Sequence, residues 1–260
     1  MNTHPDILAK SEQYGKVTLY EHLAQVALVA EKIALEINLD TQIAKHGALL
    51  HDIGKTHPLF QMSLKETTNT RSKSLIKSFY ADIHDFHPRH ELSSLCFLSL
   101  FPEKEWPQLI DMVVAHHKSI HNDKRKRGIL DLTGNLSDFT KEEIIEHHVG
   151  DWEQWSPAAL SILRCFDINT NPLTRADAKT NIEFAIEYCK NKPCGWSKWR
   201  GLLMAADHFA SALAQRTEVK VDKLFTKPDL HKFVRPHELY SLSNISTEDK
   251  RRHTLVTAPT

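Results

Sequence analysis

Leu49-Leu-His-Asp-Ile-Gly-Lys-Thr-His-Pro58 runs from an apolar helical stretch straight into a histidine and an aspartate, then a glycine and a lysine. Ile43, Ala44, Ala48, Leu49 and Leu50 share the inner face of a helix, and Gly54 reads as its C-terminal stop. Burying His51 and Asp52 side by side costs free energy unless a partner compensates their desolvation. A helix C-terminus carries partial negative charge, so the cheapest partner is a cation. Two readings stand on these residues alone: a histidine hydrogen-bonded to its neighbour, or a metal site.

Outward from this stretch, nearly every periodic segment has helical spacing. Thr18-Leu-Tyr-Glu21 fits a capping box, followed by Leu23, Val26, Ala27, Ala30, Ile33, Ala34 and Ile37 on one face. Residues 61–88 read as a long polar connection, with a short helix around Leu75 to Tyr80. Further helices are predicted at His90 to Leu98, Pro107 to His117, Lys141 to His148, Arg175 to Lys190 and Ser197 to Leu213. Another is predicted from Ser156 to Cys165, with Ser156 as cap and Pro157 in the first helical position. In the last helix Trp199, Leu202, Leu203, Ala206, Phe209, Ala210 and Leu213 form the apolar stripe. No internal repeat is present and no strand is predicted before residue 253, so the fold class is all-α.

The composition agrees. The 260 residues are 41% hydrophobic, with 33 basic and 33 acidic side chains, enough for one large helical domain or two small ones. Zero net charge means that a polyanion would be attracted locally rather than globally. No stretch approaches the roughly 18 apolar residues of a membrane span, and the N-terminus lacks an apolar signal core. A soluble, cytoplasmic protein is expected, with no membrane partner. Cys96, Cys165, Cys189 and Cys194 show no C-x-x-C spacing, which disfavours zinc-ribbon and disulfide-framework readings. Histidine is the unusual residue: 17 are present, more than a core uses.

Several of these imidazoles lie beside apolar helical faces. His22 sits in the first turn of its helix, one turn before Val26; His51 and Asp52 close the second. His90 opens a third, and His116-His117 end the run Leu-Ile-Asp-Met-Val-Val-Ala-His-His. Asp207 falls four residues after Leu203 and three before Ala210, so it points partly inward, where a carboxylate needs a pair or a metal. Singly, each has a dull explanation. Together, five imidazoles and two carboxylates on one inner surface exceed one tetrahedral site and suggest two ions bridged by a carboxylate.

The order H…HD…H…HH…D, with Gly54-Lys55 after the HD pair, resembles the HD-domain phosphohydrolase superfamily. The stretches LYEHLAQVALVAEKIA, GALLHDIGKTHPLFQ, HELSS, VVAHHKSIH and GLLMAADHFASA are similar to the HD nuclease domain of the CRISPR-associated helicase–nuclease of type I interference systems. These matches run from about residue 19 to residue 213. The paired His116-His117 and the A-D-x-x-A-S ending at Ser211 are more specific than the HD signature itself. The resemblance implies an HD-domain helical bundle with the metal site between core helices. It implies that His22, His51, Asp52 and Asp207 hold one ion, and that His90, His116 and His117 hold a second, with Asp52 bridging. Lys55 is implied beside the scissile phosphate, where it neutralises charge; the bland reading is a solvated lysine completing a helix end. Ser211 contacts substrate or a ligand's outer partner, or simply packs as a small residue between helices.

The implied reaction is hydrolysis of phosphodiesters in single-stranded DNA, cut internally and then degraded further. Two ions would lower the pKa of a shared water, orient it for in-line attack and stabilise charge on the phosphoryl and leaving oxygens. Imidazole-rich ligation favours Mn, Fe, Co or Ni over Mg, which prefers oxygen donors. The implied partners are a helicase domain in cis and an RNA-guided CRISPR surveillance complex. Asp249-Lys-Arg-Arg-His-Thr-Leu-Val-Thr-Ala-Pro-Thr260 reads as a polar lead into a strand that would continue toward an ATP-binding phosphate loop. Residues 1–235 are accordingly expected to form the nuclease domain, and 236–260 a linker and first helicase strand. ATP would serve only that helicase.

Two other functions are consistent with the same residues: an HD nucleotidase acting on dNTPs or cyclic nucleotides, and a non-catalytic docking domain stabilised by metal. The paired His116-His117 and the Ala258-Pro259-Thr260 terminus argue against the first; Lys55 and the complete ligand set argue against the second. Among the remaining histidines, His147-His148 reads as a surface helix end, and His57, His84, His87 and His121 fall in loops near the site. His87 is the rival to His90, and His208 faces about 100° away from Asp207. The basic runs Arg71 to Lys77 and Lys124 to Arg127 could follow a nucleic-acid backbone, although such runs are usually solvated loops.

Overall fold

In a computed structural model of the chain, residues 6–10, 17–65, 89–114, 116–124, 128–133, 140–192 and 197–213 are described. The helix expected at Leu75 to Tyr80, the basic run Arg71 to Lys77 and all of Lys124 to Arg127 except Lys124 lie outside them, as do His84, His87 and Cys194. So do the terminal strand and the boundary at 235/236. Residues Met1–Val219 form one compact unit.

The described secondary structure is helical. The first helix, α1, spans Leu19–Glu36, and its Thr18–Glu21 capping box forms as the sequence requires. Asp40 caps α2 (Thr41–Leu50), accepting the N–H groups of Gln42 and Ile43. The chain then tightens into a 3₁₀ turn, Ile53–Thr56, before α3 (Pro58–Lys65) and α4 (His90–Leu95). Two 3₁₀ turns, Leu98–Leu100 and Glu103–Glu105, lead to α5 (Trp106–Val113). There follow α6 (Ile129–Leu132), α7 (Lys141–Val149), α8 (Trp152–Arg164), α9 (Arg175–Asn191) and α10 (Lys198–Leu213). No strand occurs among the described residues; Leu8 and Thr18 make an isolated antiparallel bridge. No described helix is long and apolar enough to cross a membrane.

The core forms where α1 packs on α2 and α10, and α5 packs on α2 and α10. Leu23, Val26, Ala30, Ala48, Leu49, Leu109, Ile110, Leu203 and Ala206 are buried there. Asp111 ties the ends of three helices together: Ser197 Oγ donates to Oδ2 at 2.7 Å, Tyr188 donates to Oδ1 at 3.2 Å, and Lys192 pairs with the same oxygen.

Four local expectations are corrected. Gly54 does not stop α2, which ends at Leu50 with His51 still in right-handed helical backbone. Gly54 is needed because a Cβ there would meet His90 O at 2.2 Å and Ser94 N at 2.5 Å. The start of the presumed polar connection is the helix α3, capped by His57, whose Nδ1 accepts the N–H of Leu59 at 3.3 Å. Helix α8 begins at Trp152 rather than after Ser156, so Pro157 lies inside it. There Trp152 and Trp155 pack on Phe97 with ring centroids 5.1 and 5.6 Å away, and that burial outweighs the one helical hydrogen bond that proline removes. On α10, Phe209 falls outside the buried stripe and is 43% exposed.

Candidate metal centre

The site is built on the turn after α2. His51 is fully buried, and its Nδ1 lies 2.6 Å from Ala48 O, as donor to the carbonyl three residues back. That bond places the second nitrogen, Nε2, toward Asp52 with its lone pair free. His116 repeats the device after α5: Nδ1 donates to Val113 O at 2.6 Å, and Nε2 faces the same carboxylate. Each of these histidines follows the end of its helix and is held by that helix's last turn.

Asp52 is the centre. Its Oδ2 lies 3.0 Å from His22 Nε2 and 3.2 Å from His51 Nε2. Its Oδ1 lies 3.2 Å from His90 Nε2 and 3.7 Å from His116 Nε2. Two groups with ligand atoms close enough to hold an ion result: His22, His51 and Asp52, and Asp52, His90, His116 and His117. Asp207 adjoins the first group, with Oδ1 3.3 Å from His22 Nε2. All seven residues expected from the sequence are therefore brought together, each oxygen of Asp52 serving one group.

Burial alone would raise the pKa of Asp52, but His51, Lys55, His116 and His22 overcome it and hold the carboxyl well below its ordinary range. Burial likewise opposes charge on His22, yet Asp207 and Asp52 raise its pKa, and the low pKa of Asp207 reflects the same pairing. His117 stands at the exposed rim, but its ring packs against His116 and His90 with centroids 4.1 and 5.3 Å away. Desolvation of that ring, with the neighbouring imidazoles, pushes its pKa down to about 3, so it presents a neutral nitrogen.

The donor set fits divalent metal. His22 Nε2, His51 Nε2 and Asp52 Oδ1 are buried without a hydrogen-bond partner, which costs free energy in the absence of a cation. Five imidazole nitrogens and two carboxylates are the ligand types of a transition-metal pair. Lys55 already answers part of the charge: its ammonium lies 2.5 Å from Asp52 Oδ2 and is buried, rather than solvated as the bland reading had it. Ser211 reaches toward Asp207, with Oγ 3.4 Å from Oδ1.

Three supporting groups were not singled out from the sequence. Ser94 Oγ donates to His51 O and accepts the N–H of Gly54, both at 2.9 Å, joining α4 to the HD turn. Glu91 is 2% exposed, held by the Arg89 fork at 2.7 and 3.0 Å, and lies 3.6 Å from His90 Nδ1. His148, read as a surface residue, is fully buried: Nδ1 donates to Ile144 O at 2.6 Å and Nε2 accepts the N–H of Arg89 at 3.0 Å. The packing of α7 against α4 buries it, and a charged helix such as Lys-Glu-Glu-Ile-Ile-Glu gave no sign of that. A histidine four residues after Ile144 and three after Ile145, on the same face, was the available signal. His57 is buried as well, against Trp155, whereas His121 and His208 are exposed.

Residues 19–134 match the family described as HD domain, and the chain carries such a domain. Among curated proteins, it is similar to Ribonuclease Y of Treponema pallidum (strain Nichols), 60% identical over 42 residues, which are 16% of this chain and 8% of that protein. Ribonuclease Y of Chlorobium chlorochromatii (strain CaD3) is 25% identical over 124 residues, 48% of this chain and 18% of that protein. Ribonuclease Y of Treponema denticola is 55% identical over 42 residues, again 16% and 8%. The chain thus spans less than a fifth of the length of these relatives. No solved structure matches.

Proposed function

On the premise that residues 19–134 carry an HD domain, we propose that this chain is a metal-dependent phosphodiesterase that hydrolyses single-stranded DNA. The observation that carries the reading is the division of Asp52, with Oδ2 among His22 and His51 and Oδ1 among His90 and His116. One carboxylate so placed fixes the spacing of two cation sites, which suits a phosphoryl group needing charge neutralised on both its attacking and leaving sides. Divalent ions held there would supply Lewis acidity toward the phosphoryl oxygens and a means of ionising water at neutral pH.

The protein's own residues do the rest. His51 and His116 are locked by Ala48 O and Val113 O, so little reorganisation is left to the reacting state. Lys55 sits at the carboxylate's edge, where its ammonium can meet a non-bridging phosphate oxygen. His117, exposed at the rim and neutral, is open to an incoming substrate.

The choice of DNA and a CRISPR interference role rests on the likeness of the His116-His117 pair and the Ala205-Ala206-Asp207…Ser211 stretch to the type I helicase–nuclease. In that reading a helicase in cis and an RNA-guided surveillance complex deliver the strand. A second substrate, single-stranded RNA, is favoured by one specific observation: the curated relatives that match locally are named ribonucleases.

The test is a side-by-side assay of matched single-stranded DNA and RNA, blunt duplex DNA, dNTPs and cyclic dinucleotides in Mn²⁺, Co²⁺, Ni²⁺ and Mg²⁺. The expected result is internal cutting of single-stranded DNA, strongest in a transition metal, abolished by chelation and indifferent to ATP. Cutting of RNA alone would establish the second substrate. Hydrolysis of mononucleotides or cyclic dinucleotides only would overturn both.

A further inference from the structure

The segment before α1 is built into the site. Leu8 and Ala9 are buried, Ala9 N–H donates to Val17 O at 2.9 Å, and Leu19 N–H donates to Ile7 O at 2.8 Å. Gln61, 8% exposed, holds this strap to the HD turn through one amide. Its Oε1 accepts Leu8 N–H at 2.9 Å, while Nε2 donates to Leu8 O at 2.9 Å and to Lys55 O at 2.7 Å. A buried amide whose bonds all go to these two backbones ties the strap at Leu8, two residues before Lys10, to the backbone of Lys55.

The strap ends at Lys10, whose ammonium lies 3.4 Å from Ser211 O, one helical turn beyond Asp207 on α10. Among the described residues Lys10 makes no ion pair. It is partly buried and feels the charges of Asp207, Lys55 and Asp52. A partly desolvated ammonium without an ion pair is costly unless an anion visits.

Resting on the phosphodiesterase reading, we propose that Lys10 is a substrate-phosphate contact: with Lys55 it forms a two-lysine clamp, and it takes the non-bridging oxygens of a polynucleotide phosphate on the Asp207 side of the site. The ammonium holds only the Ser211 carbonyl, which it can share or release. The dull alternative is a lysine that merely caps the C-terminal end of α10 through Ser211 O. The two differ in what Lys10 does to anion binding.

The experiment compares the full chain with Lys10→Met, which keeps the apolar stem, and Lys10→Arg, which keeps the charge. Binding of a fluorescent single-stranded oligodeoxynucleotide in Ca²⁺ is measured across a salt series, with metal content, melting temperature and steady-state cleavage in Mn²⁺ alongside. Lys10→Met should bind about 10-fold more weakly. Its salt dependence, log Kd against log salt, should flatten by about 0.7. KM should rise more than kcat falls, with metal content and melting temperature unchanged, and Lys10→Arg should recover most of the affinity. Unchanged binding and salt slope, or a loss confined to melting temperature, would overturn the clamp. If the wild type binds the oligonucleotide through Lys10 but cleaves nothing, the hydrolase reading falls and the clamp stands. If it cleaves normally whatever stands at position 10, only the clamp falls; binding and cleaving nothing overturns both.

Discussion

Ser94 Oγ donates to the backbone carbonyl of His51 at 2.9 Å and accepts the N–H of Gly54 at the same distance, so one hydroxyl sets how closely α4 approaches the HD turn. That closeness brings His90 within 3.2 Å of Asp52 Oδ1. Gly54 permits it, since a Cβ would stand 2.2 Å from His90 O and 2.8 Å from Ser93 C, both of them backbone. Gly54→Ala should therefore force α4 away, lowering stability by about 1–3 kcal/mol and weakening metal binding with it. Denaturant unfolding and a Mn²⁺ titration check this. A variant as stable as the wild type with the same metal affinity would show that the approach is not tight.

Asp52 is the only residue shared by both ligand groups. Asp52→Asn keeps the shape and loses the charge that five imidazoles and Lys55 surround. Metal content should fall and turnover should drop by more than about 100-fold, since even supporting groups around a metal are worth 10–100-fold. Elemental analysis of the purified variant beside its turnover provides the measurement. Full metal content with normal activity would remove Asp52 from the centre.

Glu91 predicts a weaker but distinct effect. Its carboxylate, fixed by Arg89 and kept ionised despite burial by His90 and Arg89, faces the Nδ1 side of His90. A carboxylate on the far nitrogen orients a ligand histidine and increases its basicity. Glu91→Gln should weaken metal binding by about 10–100-fold without loss of the helical signal. Affinity by competition with a chelating dye, and the visible spectrum of the Co²⁺ form, would report it; an unchanged spectrum and affinity would count against the role.

What the sequence made legible follows from periodicity and chemistry together. The candidate ligands His22, His51, His90 and Asp207 were readable because each lies on or beside an apolar helical face, where an uncompensated polar group stands out. His116 and His117 were readable as a pair but lie beyond α5, which ends at Val113, so the helix boundary was misplaced while the residues were not. The supports were hidden for another reason. Ser94, Gln61 and Lys10 act through contacts 40, 53 and 201 residues apart in sequence, which no local pattern encodes. The start of α8 was misread because Ser156-Pro157 imitates a cap, whereas two tryptophans packing on Phe97 decided the matter. His148 was misjudged because the face it shares with Ile144 and Ile145 was weighed less than its charged neighbours.

His148 also supplies a pH dependence. Burial lowers its pKa to about 3, against 6.5 for the free side chain, and it is neutral with Nε2 accepting the Arg89 N–H. A histidine depressed on folding takes up its proton more readily in the unfolded chain, so its contribution is intact above pH 6.5 and declines as pH falls toward 3. Between pH 7.5 and 5 that decline amounts to about 2 kcal/mol. Other groups titrate in the same window, and His22, whose pKa is raised, works in the opposite sense. The clean quantity is therefore the difference in unfolding free energy between the wild type and His148→Gln, measured in urea at both pH values. The variant loses the buried acceptor geometry, so the wild type should be the more stable at pH 7.5, and that advantage should shrink by about 2 kcal/mol at pH 5. His147→Gln, on the half-buried side of α7, should leave stability and metal binding near wild type at pH 7.5. A difference for His148→Gln that does not change with pH would mean that His148 titrates as if exposed, and that the Arg89 N–H is satisfied by something else.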